Sequence, residues 1–325
     1  MAEITYVEAV REALIEEMER DPNVFLLGED IGAYGGAFKA TEGLAARFGD
    51  QRVVDTPISE VGIVGAAAGA AHMGMRPVVE MQFIDFIGNA YDMLTNYVAT
   101  ARYRAFLPCP MVVRGPSGGY VRGGPFHSQN PEAGFIHTPG LKVVYPSTAS
   151  DAKGLLKAAI RDDDCVLFFE HKYLYRRIKE AMPAGDHVVP IGKARTAREG
   201  RDLVIITYAA TVWKALEAAE QLAKEDGIEV EVLDLRTLSP LDDEAIFAAV
   251  KKTNRVLIVH EDTRTGGIAG ELTSRINERC FEWLDAPVLR VTAHDVPLPY
   301  APSLEDFVLP QTQDIVHAAR TLAAY

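Results

Sequence analysis

Short apolar runs and amphipathic stretches alternate along the whole chain. Near the start, Val7, Val10, Leu14 and Met18 recur at +3, +4 and +4, which predicts a helix over Val7–Arg20. Val24-Phe25-Leu26-Leu27 is a short apolar run that stops at Gly28-Glu29-Asp30, as a buried strand feeding a loop would. Strand-like runs follow at Pro77–Phe83, Met111–Val113, Leu141–Tyr145 and Cys165–Phe169. Helix-like stretches lie at Glu60–Met73, Ala90–Phe106 and Ala149–Arg161. Strands that are apolar throughout, alternating with helices, predict an α/β fold with a mostly parallel sheet covered on both faces.

Between Arg176 and Asp202 the texture changes to charged residues punctuated by Pro183, Gly185, Pro190, Gly192 and Gly200, which marks a connection. The alternation then resumes. Leu203–Thr207, Ile228–Leu235, Arg255–Val259 and Val288–Val291 read as strands. Val212, Leu216, Ala219 and Ala223 form one helix face, and Asp243–Lys252, Gly267–Leu284 and Gln311–Ala324 read as helices. The expected organisation is a first domain over 1–180, a linker over 181–201 and a smaller α/β domain over 202–325.

Composition narrows the classes. With 48% hydrophobic and 24% charged residues the chain is an ordinary globular one, not a disordered one. Its 33 basic and 46 acidic residues leave a charge of −13, which argues against a nucleic-acid binder and against an anionic membrane surface. The longest charge-free run, Val61–Met75, has 15 residues and is mostly Gly and Ala, too short for a membrane span. Met1-Ala2-Glu3-Ile4-Thr5 offers neither the basic nor the apolar region of a signal peptide. Cys109, Cys165 and Cys280 are scattered, with no CxxC, so a reducing, cytoplasmic setting is expected and neither a disulfide frame nor a zinc site.

Two segments offer chemistry. Asp55-Thr56-Pro57-Ile58-Ser59-Glu60 opens a helix, with Ser59 expected as its cap and Glu60 in its first turn, where the helix dipole favours a carboxylate. Behind Glu60, Gly62, Gly65 and Gly69 fall on one face and invite close approach by a backbone or a ligand. The second segment, Arg114–Asn130, carries five glycines between Gly115 and Gly124 directly after a strand, a flexible loop where α/β sheets place their ligands. His127, in that loop, suits acid–base work or binding of an anionic substrate. GxGxxG after the first strand, GxxxxGK[ST], HExxH and GxSxG are all absent.

Taken in order, Gly28-Glu29-Asp30 with Gly35-Gly36, Asp55 to Glu60, Glu80-Met81-Gln82-Phe83, His127-Ser128-Gln129, Asp151 to Leu156, Asp234-Leu235-Arg236-Thr237, Lys252-Thr253 and Asp285-Ala286-Pro287-Val288 carry a resemblance. The chain resembles, nearly end to end, the beta subunit of the thiamine-dependent 2-oxo acid dehydrogenase (decarboxylating) component, of the pyruvate or branched-chain type. The resemblance implies an N-terminal pyrimidine-binding domain and a C-terminal transketolase-like domain. It also implies an alpha2beta2 assembly that passes the acyl group of a small 2-oxo acid to the lipoyl group of an acyltransferase core. In the family, the alpha chain holds the diphosphate and Mg2+ through a Gly-Asp-Gly motif. This sequence has no Gly-Asp-Gly, so the chain supplies half of a thiamine diphosphate site.

By the same resemblance, Glu60 matches the glutamate that hydrogen-bonds the aminopyrimidine ring, in a pocket that includes Gln82. Phe86 matches an aromatic packed on that ring. His127 matches the histidine facing the substrate and the lipoyl group. A structural K+ in relatives maps onto carbonyls near Met111, Ala159 and Ile160, with Asp162 and Asp164 beside them; here the run is Asp162-Asp163-Asp164, where many relatives end in Asn. The alternatives are an acetoin dehydrogenase beta subunit, a single-chain transketolase or deoxyxylulose-phosphate synthase, and a non-catalytic scaffold. Length and the missing motif exclude a complete single-chain enzyme; Glu60 and His127 disfavour the scaffold.

Overall fold

Thr5 and Glu8 start the first helix by capping each other. Glu8 N–H donates to Thr5 Oγ1 at 3.3 Å and Thr5 N–H to Glu8 Oε2 at 2.7 Å, satisfying two of the donors a helix start leaves open. The computed structural model describes residues 3–325. They form two compact units, the first comprising residues up to Ser117, Gly134–Ile191 and Leu238–Pro240, the second Gly118–Ala133, Gly192–Thr237 and Leu241–Tyr325.

The first half of the chain runs β1 (Glu3–Thr5), α1 (Tyr6–Arg20), β2 (Val24–Gly28), α2 (Leu44–Phe48), β3 (Val53–Asp55), α3 (Glu60–His72), β4 (Arg76–Glu80), α4 (Ala101–Ala105), β5 (Val112–Ser117), α5 (Glu132–Ile136), β6 (Lys142–Val144), α6 (Ala149–Arg161), β7 (Val166–His171) and β8 (Lys179–Ala181). The remainder runs β9 (Arg195–Arg198), β10 (Leu203–Thr207), α7 (Thr211–Asp226), β11 (Val230–Asp234), β12 (Thr237–Ser239), α8 (Asp243–Thr253), β13 (Val256–Thr263), α9 (Ala269–Cys280), β14 (Leu289–Ala293), α10 (Pro302–Val308) and α11 (Thr312–Ala323).

The first unit is built on a sheet ordered β12-β6-β7-β5-β4-β2-β3. β6, β7, β5, β4, β2 and β3 run parallel, in registers such as Gly28↔Glu80 and Glu80↔Arg114. The predicted face of α1 (Val7, Val10, Leu14, Met18) is buried. Beside it α1 and α6 share a polar seam, in which the buried Lys153 and Lys157 reach Glu12 at 2.8 Å and Glu16 at 2.5 Å. Their methylene stems line apolar surface while their ammonium groups find carboxylates.

In the second unit β14-β13-β10-β11-β9 form a sheet that is parallel except for β9. Its core gathers Leu203, Ile205, Val232, Leu257, Ile315 and Leu322. On α7, Val212 and Ala219 are buried as the pattern predicts, but Ala215, Ala218 and Leu222 lie deeper than Leu216 and Ala223.

Three expectations change. The strand predicted over Pro77–Phe83 ends at Glu80, where the chain turns. The helix predicted over Ala90–Phe106 is instead a wide π turn at Met93–Val98 followed by α4, which Phe106 ends with a left-handed φ of 58°. The connecting stretch contains two strands, β8 paired with β1 and β9 on the edge of the second sheet. Both are short and charged, Lys179-Glu180-Ala181 and Arg195-Thr196-Ala197-Arg198, as suits an edge rather than the continuous apolar runs of central strands.

Candidate functional site

In a parallel sheet, ligand groups gather at the C-terminal strand ends. In the first unit the candidate residues Glu60, Gln82 and Phe86 follow such strand ends. β3 leads through Thr56, whose N–H donates to Gly28 O at 2.9 Å, into α3 and its first residue, Glu60. Glu60 is 8% exposed, and its carboxylate is without a hydrogen-bond partner among the described residues. Ser59 does not cap α3 with its side chain. Its hydroxyl lies over Gly62 instead, 2.8 Å from where a Cβ would stand.

β2, the next strand, ends at Gly28 and leads into Glu29 and Asp30. Glu29 is buried, and its carboxyl is pushed above the ordinary carboxylate range by that burial and then by the negative charges of Glu60 and Asp30, against a bond from the Ser59 backbone. β4 continues into Gln82, whose amide donates to Asp30 Oδ2 at 3.1 Å. Phe86 is half-buried, edge-on to Phe83 at 6.2 Å; Phe83 meets Phe38 at 5.4 Å, and Phe38 meets Tyr175 at 5.5 Å.

Beneath these strand ends lies a buried ionic cluster. Arg114 on β5 donates to Glu170 Oε1 at 2.5 Å and Oε2 at 2.7 Å, and its other fork reaches Glu80. Tyr175 donates to Glu170 Oε2 at 2.6 Å. Burial raises the Glu80 carboxyl, opposed by Arg114 and aided by Glu170.

His127 is half-buried on a segment that belongs to the second unit. Its N–H donates to Gly124 O at 3.3 Å. The segment is tied down rather than loose. Asn130 donates to Glu261 Oε1 at 2.9 Å, Gly119 N–H reaches the same oxygen, and Tyr120 donates to Pro310 O at 2.8 Å. Its glycines allow close approach: a Cβ at Gly119 would lie 2.6 Å from Leu309, and one at Gly124 would overlap the Tyr300 ring. A cavity of about 520 Å³ adjoins the segment, lined by Pro125, Asn130, Asp262, Thr265, Asp295 and Val296 among others.

Residues 2–178 match the family described as "Transketolase, pyrimidine binding domain", and residues 192–315 match "Transketolase, C-terminal domain". Over its whole length the chain is 52% identical to the 2-oxoisovalerate dehydrogenase subunit beta of Bacillus subtilis (strain 168), covering all of both chains. The chain belongs to the beta-subunit family of 2-oxo acid dehydrogenase first components. It is also 44% identical to the pyruvate dehydrogenase E1 component subunit beta of the same organism, again over all of both chains. A solved structure titled "Split gene transketolase, inactive beta4 tetramer" shares the fold at a TM-score of 0.80, with 22% identity, 99% of this chain and 98% of that chain covered.

Membership of this family implies thiamine diphosphate, and the residues present fit its pyrimidine half. A buried carboxylate with no internal donor stands at a helix start, and a half-buried aromatic, Phe86, stands in the turn that follows β4. Glu60 opens α3, just after β3, while Gln82 and Phe86 lie in the turn after β4, so all three follow the C-terminal ends of strands of one sheet. His127 is carried by the other unit.

Each oxygen expected around K+ already accepts from the chain itself. Arg76 Nη1 donates to Ile160 O at 2.9 Å and Asp162 O at 2.8 Å. Asp164 accepts from Arg102 at 2.7 Å, Ala159 O from Asp162 N–H, and Met111 O from Val166 N–H. Lys142 holds the Asp162 carboxylate at 2.6 Å. Arg76 thus meets the C-terminal end of α6, whose dipole is negative there, while Lys142 and Arg102 are paired with the Asp162 and Asp164 carboxylates. An added ion would have to share these acceptors. Among the described residues no group of three or more His, Cys, Asp or Glu side chains is placed to hold a metal, and no helix is long and apolar enough to cross a membrane.

The sequence pattern did not single out Arg114, Glu80 and Glu170 as a group, nor Glu29 as a partner of Glu60. A signal existed: Arg114 follows Met111-Val112-Val113 and Glu80 follows Val78-Val79, and a charge inside a buried strand must meet its counterion.

Proposed function

We propose that this chain, assembled with an alpha subunit as alpha2beta2, catalyses thiamine-diphosphate-dependent oxidative decarboxylation of a 2-oxo acid and transfers the acyl group to the lipoyl disulfide of an acyltransferase core. The observation that carries this is Glu60, a buried and internally unpaired carboxylate at the C-terminal edge of a parallel sheet. In this reading the alpha chain holds the diphosphate and Mg2+, which the lack of a Gly-Asp-Gly in this sequence supports. Bound there, thiamine diphosphate supplies the carbon nucleophile and electron sink for decarboxylation. Glu60 shares a proton with the pyrimidine ring nitrogen, in a dry site where burial strengthens that bond. Phe86 packs on the ring, and Gln82, held by Asp30, borders it. His127 binds the substrate carboxylate and donates a proton during acyl transfer.

Calorimetry on this chain alone, with thiamine diphosphate and Mg2+, tests the half-site. Binding should be absent or weak, and micromolar Mg2+-dependent binding would overturn it. Reconstitution with the alpha subunit and a panel of pyruvate and branched-chain 2-oxo acids then tests the reaction. No turnover on any of them in a correctly assembled complex would count against it.

A further inference from the structure

We infer that Arg122, through Glu305 and Asp306, is the positioning residue for His127, so that the C-terminal segment around α10 sets where the imidazole is held. The inference rests on the role proposed for His127. Arg122 Nη1 donates to Glu305 Oε2 at 2.5 Å, to Asp306 Oδ1 at 2.8 Å and to Pro302 O at 3.0 Å, and Nη2 to Asp306 Oδ2 at 3.1 Å. The Arg122 backbone N–H donates to Glu305 Oε1 at 3.2 Å.

Surface ion pairs usually contribute little, because two long side chains lose freedom in water. This one differs in kind. Glu305 is fully buried, the guanidinium is forked across two carboxylates, and the same carboxylate takes side chain and backbone together. Arg122 itself sits at a φ of 64° and Tyr120 at 60°, a left-handed backbone that other residues here must hold in place. On the far side, the Tyr300 ring lies directly against Gly124, itself at a left-handed φ of 69°. Gly124 O in turn accepts from His127 N–H. The chain of contact therefore runs from α10 through Arg122 and the glycine pair 123–124 to His127.

A catalytic group held in one place retains rate that a wandering one loses. In the reconstituted complex, Arg122→Met and Asp306→Asn, singly and together, should loosen residues 118–130. Their amide hydrogen exchange should quicken about 10-fold or more in Arg122→Met, while β5 is unchanged. Acyl transfer to a lipoyl domain should fall about 10-fold, with decarboxylation to an artificial electron acceptor affected less. Arg122→Lys should recover part of the loss, and the double variant should be no worse than Arg122→Met alone, since both act on one clasp.

His127→Ala runs beside them. Unchanged exchange in Arg122→Met overturns the inference, as does faster exchange with normal transfer where His127→Ala cripples it. Normal transfer in His127→Ala instead overturns the role of the histidine; the exchange measurement, which needs no turnover, still shows whether the clasp holds the segment.

Discussion

Arg114 grips Glu170 with two parallel bonds, Nε to Oε1 at 2.5 Å and Nη2 to Oε2 at 2.7 Å, with 1% of one side chain exposed and none of the other. The pair crosses from β5 to β7, and the second fork of Arg114 crosses to Glu80 on β4. Three adjacent strands are thus joined just below the edge that carries Gln82 and Phe86. Removing the cation leaves two buried carboxylates without a counterion. Arg114→Met should therefore cost about 3–5 kcal/mol in urea denaturation. Tyr175→Phe, which removes one bond to Glu170, should cost about 1.5–3 kcal/mol. Equal losses would mean the cluster acts through packing and not through charge.

His260 and Asp262, two positions apart on β13, should give opposite pH dependences. Burial holds His260 down at about 4 from an ordinary 6.5, with Arg290 adding to it and the Asp262 backbone opposing. The folded protein then binds fewer protons than the unfolded one. That stability is full above about 6.5 and lost as pH falls to about 4, on the order of 3 kcal/mol in all. Burial raises Asp262 from 3.8 to about 6, with Glu261 and Asp295 adding to it and Thr263 opposing. Its contribution is full below about 3.8 and lost as pH rises through about 6. Stability–pH curves for His260→Gln and Asp262→Asn, each subtracted from the parent, should slope in opposite directions between pH 4 and 6. Slopes of one sign would show that one of the two environments is misjudged.

Much of this architecture was legible because the central strands are apolar throughout and the helices carry one apolar stripe. Ala149–Arg161 and α6 coincide, since Thr148 caps one end and Asp162 leaves helical geometry at the other. The irregular turns after β4 were not legible, because a 3.6-residue periodicity does not distinguish an α-helix from a π turn. Glu60 stood out by its place at a helix start. The glycine-rich segment was legible as a special place but not in its mechanics. Composition suggests flexibility, whereas Gly119 and Gly124 are there because Leu309 and Tyr300 press against them. Such contacts are set by residues some 180 positions away and leave no local trace.

Caps give a direct comparison. Thr148 accepts from Asp151 N–H at 3.1 Å, and Thr148→Ala should cost about 1 kcal/mol in thermal or urea unfolding. Ser59 makes no such bond, so Ser59→Ala should stay within about 0.5 kcal/mol. A larger loss at Ser59 than at Thr148 would put the hydroxyl back at the helix start.

Glu60→Gln separates proton exchange from shape. The amide has the same outline and keeps the start of α3, so the variant should fold, join the alpha subunit and show the parent's mass in solution. Its side chain can still donate one hydrogen bond but cannot exchange a proton with a ring nitrogen. Turnover should fall on the order of 10²-fold or more, the scale of a positioned acid–base group. Glu29 adds an independent readout, since the Glu60 charge helps raise its carboxyl. With Glu60 neutral, Glu29 should titrate lower, which carboxyl-selective NMR on the unliganded chain can follow without any turnover. A fall in turnover together with a lowered Glu29 places the working charge at Glu60. Near-normal turnover with the same shift at Glu29 would leave Glu60 as a residue that starts a helix and nothing more.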